Sequence, residues 1–182
     1  MFGTMQGGNF YYTMPNYNYF RIVGMQPMHT MAVAEIEGGL PNSKIQGSVS
    51  FKDVRGGVFI CVQVWGLPSY QPAQEGKSPV GPHGFHIHQI GNCTVGEPKD
   101  PFMSAGGHWN PTDQPHGNHA GDFLVLFSNH GYAYMCFFTD KFKVADVIGK
   151  SVIIHENPDD YRTQPAGNSG KKLACGVIMP IN

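Results

Sequence analysis

The chain has 182 residues, of which 41% are hydrophobic and only 14% charged, with a formal charge of -1. That is enough apolar material for the core of one globular domain. A near-zero charge without a basic run excludes the electrostatic footprint of a nucleic-acid binder, and no apolar stretch approaches the ~20 residues of a membrane-spanning helix.

In chain order, residues 1–30 (MFGTMQGGNFYYTMPNYNYFRIVGMQPMHT) are rich in Gly, Asn, Tyr and Met, carry a single charge at Arg21, and follow neither strand nor helix periodicity. They read as a poorly ordered tail ahead of one domain over residues 31–182. The start has neither the positive residues nor the ~7–15-residue apolar run of an export signal, so a cytoplasmic or surface-associated protein is expected. Met25, Met28, His29 and Met31 would offer soft ligands to Cu(I), but in so biased a segment they read as incidental.

From Met31 the pattern becomes short and alternating: MAVAEIEG, IQGSVSF and GVFICVQVWGLP, in the last of which Val58, Ile60, Val62 and Val64 share one face. FHIHQI, FLVLFSN, YAYMCFF, KSVIIH and LACGVI continue the series, each bounded by Gly, Pro, Asn or Asp. The 24 glycines and 14 prolines suit a chain that turns often, and eight short antiparallel strands predict an all-β sandwich or flattened barrel. Two intervals, 91–119 and 156–171, exceed ordinary hairpin turns and are expected to be functional loops.

The histidines fall where these loops begin and end. His86 and His88 are two apart on a strand, so both rings project to one side while Phe85 and Ile87 project into the core. The loop adds His108, His116, His119 and Asp122, the last three at intervals of three residues, and His155 closes the strand SVIIH. Three histidines and one carboxylate fill four tetrahedral positions, the closed arrangement of structural zinc, whereas chemistry needs an open position. Imidazole-only coordination suits copper, zinc or iron, and copper in particular where another ligand can enter, so two metals of different duty are expected. His29 and His130 read as surface or structural residues, and Asp113 and Glu97 as solvated loop carboxylates.

The motifs GFHIHQIGNC, SAGGHWNP, HGNHAGD, VIIHENPDD and GNSGKKLACGVI resemble the copper, zinc superoxide dismutase family from about Met31 to Ile178, with a short metal loop similar to that of bacterial members. The resemblance implies an eight-stranded Greek-key β-barrel and dismutation of superoxide to oxygen and hydrogen peroxide. It implies copper at His86, His88, His108 and His155, and zinc at His108, His116, His119 and Asp122, with His108 bridging. Asp159 matches the carboxylate that ties one copper ligand to one zinc ligand, here His86 and His116. Cys93 and Cys175 match the family disulfide, and His83 a histidine that ties the loop to backbone carbonyls. A homodimer is compatible with the family, through no surface that the sequence indicates.

One position departs from the family. GNSGKKLACGV places Lys172, preceded by Lys171, where an arginine usually stands beside copper: the charge is kept and the planar fork lost, so activity is expected at a reduced rate. A copper-binding or structural coat protein with little activity is the alternative, and a zinc-only hydrolase is weaker because the zinc set has no open position. Alternation turns Cys61 and Cys136 outward, and in the fold implied by the resemblance they lie nearly opposite on neighbouring strands. A strained cross-strand disulfide and two free thiols both remain open there.

Overall fold

A computed structural model describes residues 30–77 and 79–181. The expected tail, with Met25, Met28 and His29, lies outside them apart from Thr30. Seven strands form one antiparallel sheet: β1 (Met31–Gly38), β2 (Gln46–Val54), β3 (Gly57–Trp65), β4 (Phe85–His88), β5 (Ala133–Thr139), β6 (Ser151–His155) and β7 (Lys172–Pro180). Their order is β4-β6-β7-β1-β2-β3-β5, so β1–β3 form a meander, β6 and β7 are neighbours, and the connections from β3 to β4, β4 to β5 and β5 to β6 cross the sheet. The sheet curls on itself as a half-barrel. Its helical content among the described residues is one 3-10 turn, Met103–Ala105, and the four-residue α1, Val144–Val147.

Period-two alternation explains the inside of the curl. Val58, Ile60, Val62 and Val64 are each fully buried, facing Val49 and Phe51 of β2 and Phe85 and Ile87 of β4 in one apolar core. Burying each such side chain stabilises by ~1.5–3 kcal/mol before chain entropy is set against it. β4 and β6 are buried along their whole length, on both faces. Their outer face is covered by the long connection after β4, which packs Phe102 and Ala105 against Ile153 and Cys175 as a second, smaller core.

The segment FLVLFSN, expected as an eighth strand, does not form a ladder. It and the preceding Asp122 run beside β4 and the residues leading into it through isolated bridges, His83 to Leu126 and His86 to Asp122. The Tyr161 hydroxyl takes over two of its backbone groups, accepting from Val125 N at 2.9 Å and donating to Phe123 O at 3.1 Å. A side chain satisfies what a neighbouring strand would have satisfied. The loop 156–171 is as expected, but a third long connection, 66–84, carries its own small pairing of Gln71 with Val80 and was not singled out by composition.

Both cysteine pairs are bonded. Cys93–Cys175 ties the loop after β4 to β7, with Cα atoms 5.5 Å apart. Cys61 and Cys136 face each other in the β3–β5 register and are also joined, with Cα atoms 4.2 Å apart. That spacing is the close approach of a non-hydrogen-bonded antiparallel pair, so the register itself brings the two thiols together.

Candidate metal centre

β4 projects His86 and His88 from its outer face, and β6, its hydrogen-bonded neighbour, ends in His155. The loop is docked onto the same strand at two points: Trp109 N donates to Ile87 O at 2.8 Å, and Ile87 N donates to Gly121 O at 2.9 Å. These bonds seat His108 opposite His88 and Asp122 opposite His86. All six imidazoles are buried, and two ligand sets result: His86, His88, His108 and His155; and His108, His116, His119 and Asp122. Within each set the ligand atoms lie within 4.8 Å of one another. An ion with ~2.0–2.2 Å bonds would draw them closer together. The structure thus brings together all seven residues singled out by spacing, with His108 common to both sets.

Hydrogen bonding on the outside of the rings fixes which nitrogen faces inward. Asp159 accepts from His86 Nε2 at 2.7 Å and from His116 Nε2 at 2.8 Å, so both rings turn an unprotonated Nδ1 inward. Both Nδ1 atoms, with His108 Nε2 and His119 Nδ1, are buried without a hydrogen-bond partner. His88 Nδ1 donates to Gly106 O at 2.8 Å and His155 Nδ1 to Gly170 O at 3.3 Å. Their Nε2 atoms then carry lone pairs, yet lie only 3.3 Å apart. Two lone pairs repel at that distance; a cation held by both removes the conflict. The donor set therefore fits metal ions, and the carbonyls and carboxylate outside it fix ring orientation as such sites require.

Electrostatics agree. Burial, and then the neighbouring His108 ring, push the pKa of His86 well below the usual histidine value and that of His88 down to about 3. His155 is lowered strongly by burial and by His86. His119 is also lowered, chiefly by burial. Burial works to raise Asp122, but its hydrogen bond with His108 and the surrounding imidazoles hold it below the usual carboxylate range. Neutral imidazoles and an ionised carboxylate are the protonation states in which these groups ligate.

The loop 156–171 supplies supports that spacing did not reveal. Gln164 grips the backbone of His116, accepting from its N–H at 2.8 Å and donating to its carbonyl at 3.3 Å. Tyr161 N donates to Asp159 Oδ1 at 2.7 Å. Gly167, at φ +63°, passes so close that a Cβ there would overlap Asp159 Oδ1 and His116 Nε2, which excludes any side chain. Backbone carbonyls and a glutamine have no signature in one sequence; the GNSG run was the only local signal.

The remaining candidates are placed as follows. His83 is buried and bonds through Nδ1 to the carbonyl of His155 at 2.8 Å. His130, Asp113 and Glu97 are exposed. Trp109 packs edge-on against Phe142, with Lys150 Nζ 5.2 Å from its ring centre. Lys172 opens β7 opposite His155, its charge helps to keep His88 unprotonated, and its Nζ lies 3.8 Å from Met103 Sδ.

The model of the copper/zinc superoxide dismutase family matches residues 45–178. The chain belongs to that family. It is 35% identical over 156 residues to the copper-zinc superoxide dismutase of Deinococcus radiodurans, covering 76% of this chain and 80% of that one. It is 34% identical over 140 residues to that of Legionella pneumophila (72% and 76%), and 38% identical over 144 residues to that of Actinobacillus pleuropneumoniae (70% and 73%). The protein is accordingly an oxidoreductase, a superoxide dismutase, with an all-β half-barrel and histidine clusters that could hold metal ions. Among its described residues no helix is long and apolar enough to cross a membrane.

Proposed function

We propose that His86, His88, His108 and His155 would hold copper, that His108, His116, His119 and Asp122 would hold zinc, and that the protein so loaded dismutes superoxide to oxygen and hydrogen peroxide. The observation that carries this reading is the set of inward nitrogens: Nδ1 of His86, His116 and His119 and Nε2 of His108 have no hydrogen-bond partner, and the Nε2 atoms of His88 and His155 face each other at 3.3 Å. Bound copper supplies a one-electron shuttle between its two oxidation states, and zinc supplies charge and position without redox change.

The chain's own residues do the rest. The Gly106 and Gly170 carbonyls hold the His88 and His155 rings with Nε2 inward, and Asp159 does the same for Nδ1 of His86 and His116. His108 keeps Nδ1 on the Asp122 side at 2.9 Å and turns Nε2 toward the other three imidazoles. Whenever Nε2 of His108 is not engaged as a ligand it would be the atom that takes up a proton and gives it to the product, while Nδ1 keeps the ring in place. Lys172 draws the anionic substrate toward His88, with less orientation than an arginine fork would impose.

Metal analysis combined with superoxide decay tests the assignment. His108→Ala should lose at least about 100-fold in rate and weaken retention of both metals, because one ring serves both sets. His130→Ala, exposed and remote from both sets, should do neither. Equal activity and metal content in the two variants would remove the bridging assignment.

A further inference from the structure

The 3-10 turn Met103–Ala105 lies against the first ligand set, because Gly106, whose carbonyl holds His88 at 2.8 Å, donates its own N–H back to Met103 O at 3.1 Å. The Met103 side chain points away from both apolar cores and is 61% exposed. An exposed thioether gains nothing from burial there, yet Lys172 Nζ sits 3.8 Å from its sulfur. A cation beside the sulfur argues against a relay for copper ions, which the ammonium would repel. The same cation attracts superoxide, so the sulfur stands beside the approach of the anionic substrate and close to where neutral peroxide would be formed from it.

We propose that Met103 is a modification site: peroxide released by turnover oxidises it to the sulfoxide, and the sulfoxide then lowers turnover by holding Lys172. This rests on the dismutase reading above, which supplies the oxidant. A sulfur lone pair attacks one peroxide oxygen; the O–O bond breaks as the S–O bond forms. The departing hydroxide takes up the proton released from the attacked oxygen and leaves as water. Sulfur loses two electrons and peroxide gains two, with one peroxide consumed per methionine. The thioether is a weak acceptor for the Lys172 ammonium, whereas the sulfoxide oxygen is a strong one. Oxidation therefore ties the guiding cation to the turn and withdraws it from incoming anions.

Met179 is the internal reference, since it is 55% exposed but lies near the end of β7, away from both ligand sets. The metal-loaded protein is supplied with superoxide for many turnovers with catalase present to clear bulk peroxide, and superoxide decay and methionine sulfoxide in each peptide are followed in the same run. Met103 sulfoxide should exceed Met179 sulfoxide at least about five-fold, while reagent peroxide on the metal-free protein should oxidise the two within about two-fold of each other. Rapid superoxide decay with equal oxidation at the two positions overturns the inference and leaves the function intact; decay at the uncatalysed rate overturns the function itself. Selective Met103 oxidation in the metal-free protein also overturns the inference, because the selectivity would then be intrinsic to the site. For the consequence, Met103→Gln, which presents a polar oxygen to Lys172, should turn over about two- to three-fold more slowly and with weaker salt dependence. Met103→Leu should match the parent and resist loss of rate during turnover. A Met103→Gln protein with the parent's rate and salt dependence would refute the coupling to Lys172.

Discussion

Asp159→Asn separates the two roles that a buried carboxylate can have, holding rings and filling space. The carboxylate accepts from His86 Nε2 at 2.7 Å and from His116 Nε2 at 2.8 Å. An asparagine of the same shape presents one oxygen and one NH2, so it can accept from only one ring and must donate to the other. The ring facing the NH2 shifts its proton from Nε2 to Nδ1, and its inward nitrogen stops being a ligand. Restoring the ligating tautomer sets two donors against each other and forfeits a charge-assisted hydrogen bond, a cost of about 1.5–3 kcal/mol. At about 1.4 kcal/mol per decade, one of the two metals should bind about 10- to 100-fold more weakly. Without metal either tautomer is acceptable, so Asp159→Asn should melt close to the parent. Asp159→Ala leaves the two buried imidazole N–H groups, and the part-buried Tyr161 N–H, without acceptors and should lose about 1–3 kcal/mol for each buried one. Chelator competition for copper and zinc, run beside thermal melts of the metal-free proteins, reads both effects. A folded Asp159→Asn protein that keeps both metals at parental affinity would refute the argument from tautomers.

Lys172→Arg should raise the rate of superoxide decay, and Lys172→Ala should lower both the rate and its dependence on ionic strength; three indistinguishable proteins would move substrate guidance elsewhere. Replacing Cys61 and Cys136 together by serine should cost about 2–4 kcal/mol in a denaturant titration without reductant. That is less than the ~4.5 kcal/mol of chain entropy for a 75-residue separation, because Cys93–Cys175 already restrains the unfolded chain; an unchanged midpoint would reject it. Burial holds His88 near a pKa of about 3, and His86 and His155 well below their ordinary value, so on acidification the unfolded chain takes up protons before the fold does. The metal-free protein should therefore be most stable above about pH 6.5 and lose up to about 1.4 kcal/mol per pH unit for each such histidine as pH falls toward 3. Denaturation midpoints that stay constant from about pH 7.5 to 4.5 would contradict it.

Alternation along the chain sufficed for the inward face of β3 and for the paired projection of His86 and His88, because a strand's side-chain period is local geometry that needs no partner. Spacing also singled out His108, His116, His119, Asp122 and His155, since chemistry-bearing residue types at such intervals are rare by composition. The motifs added Asp159 and the Cys93–Cys175 bond, which only resemblance to a family could link across 73 and 82 positions of chain. What the sequence left open depended on partners far away in the chain. FLVLFSN has the composition of a strand, but the Tyr161 hydroxyl takes two of its backbone groups, and nothing local announces that. Cys61 and Cys136 were known to face outward, yet whether they bond was decided by the β3–β5 register, which no local period sets. The inward nitrogens of His88, His155, His86 and His116 were decided by the carbonyls of Gly106 and Gly170 and by Asp159, each brought from another segment. Residue type provides a potential ligand, but only the folded chain's hydrogen bonds choose which of its two nitrogens faces inward.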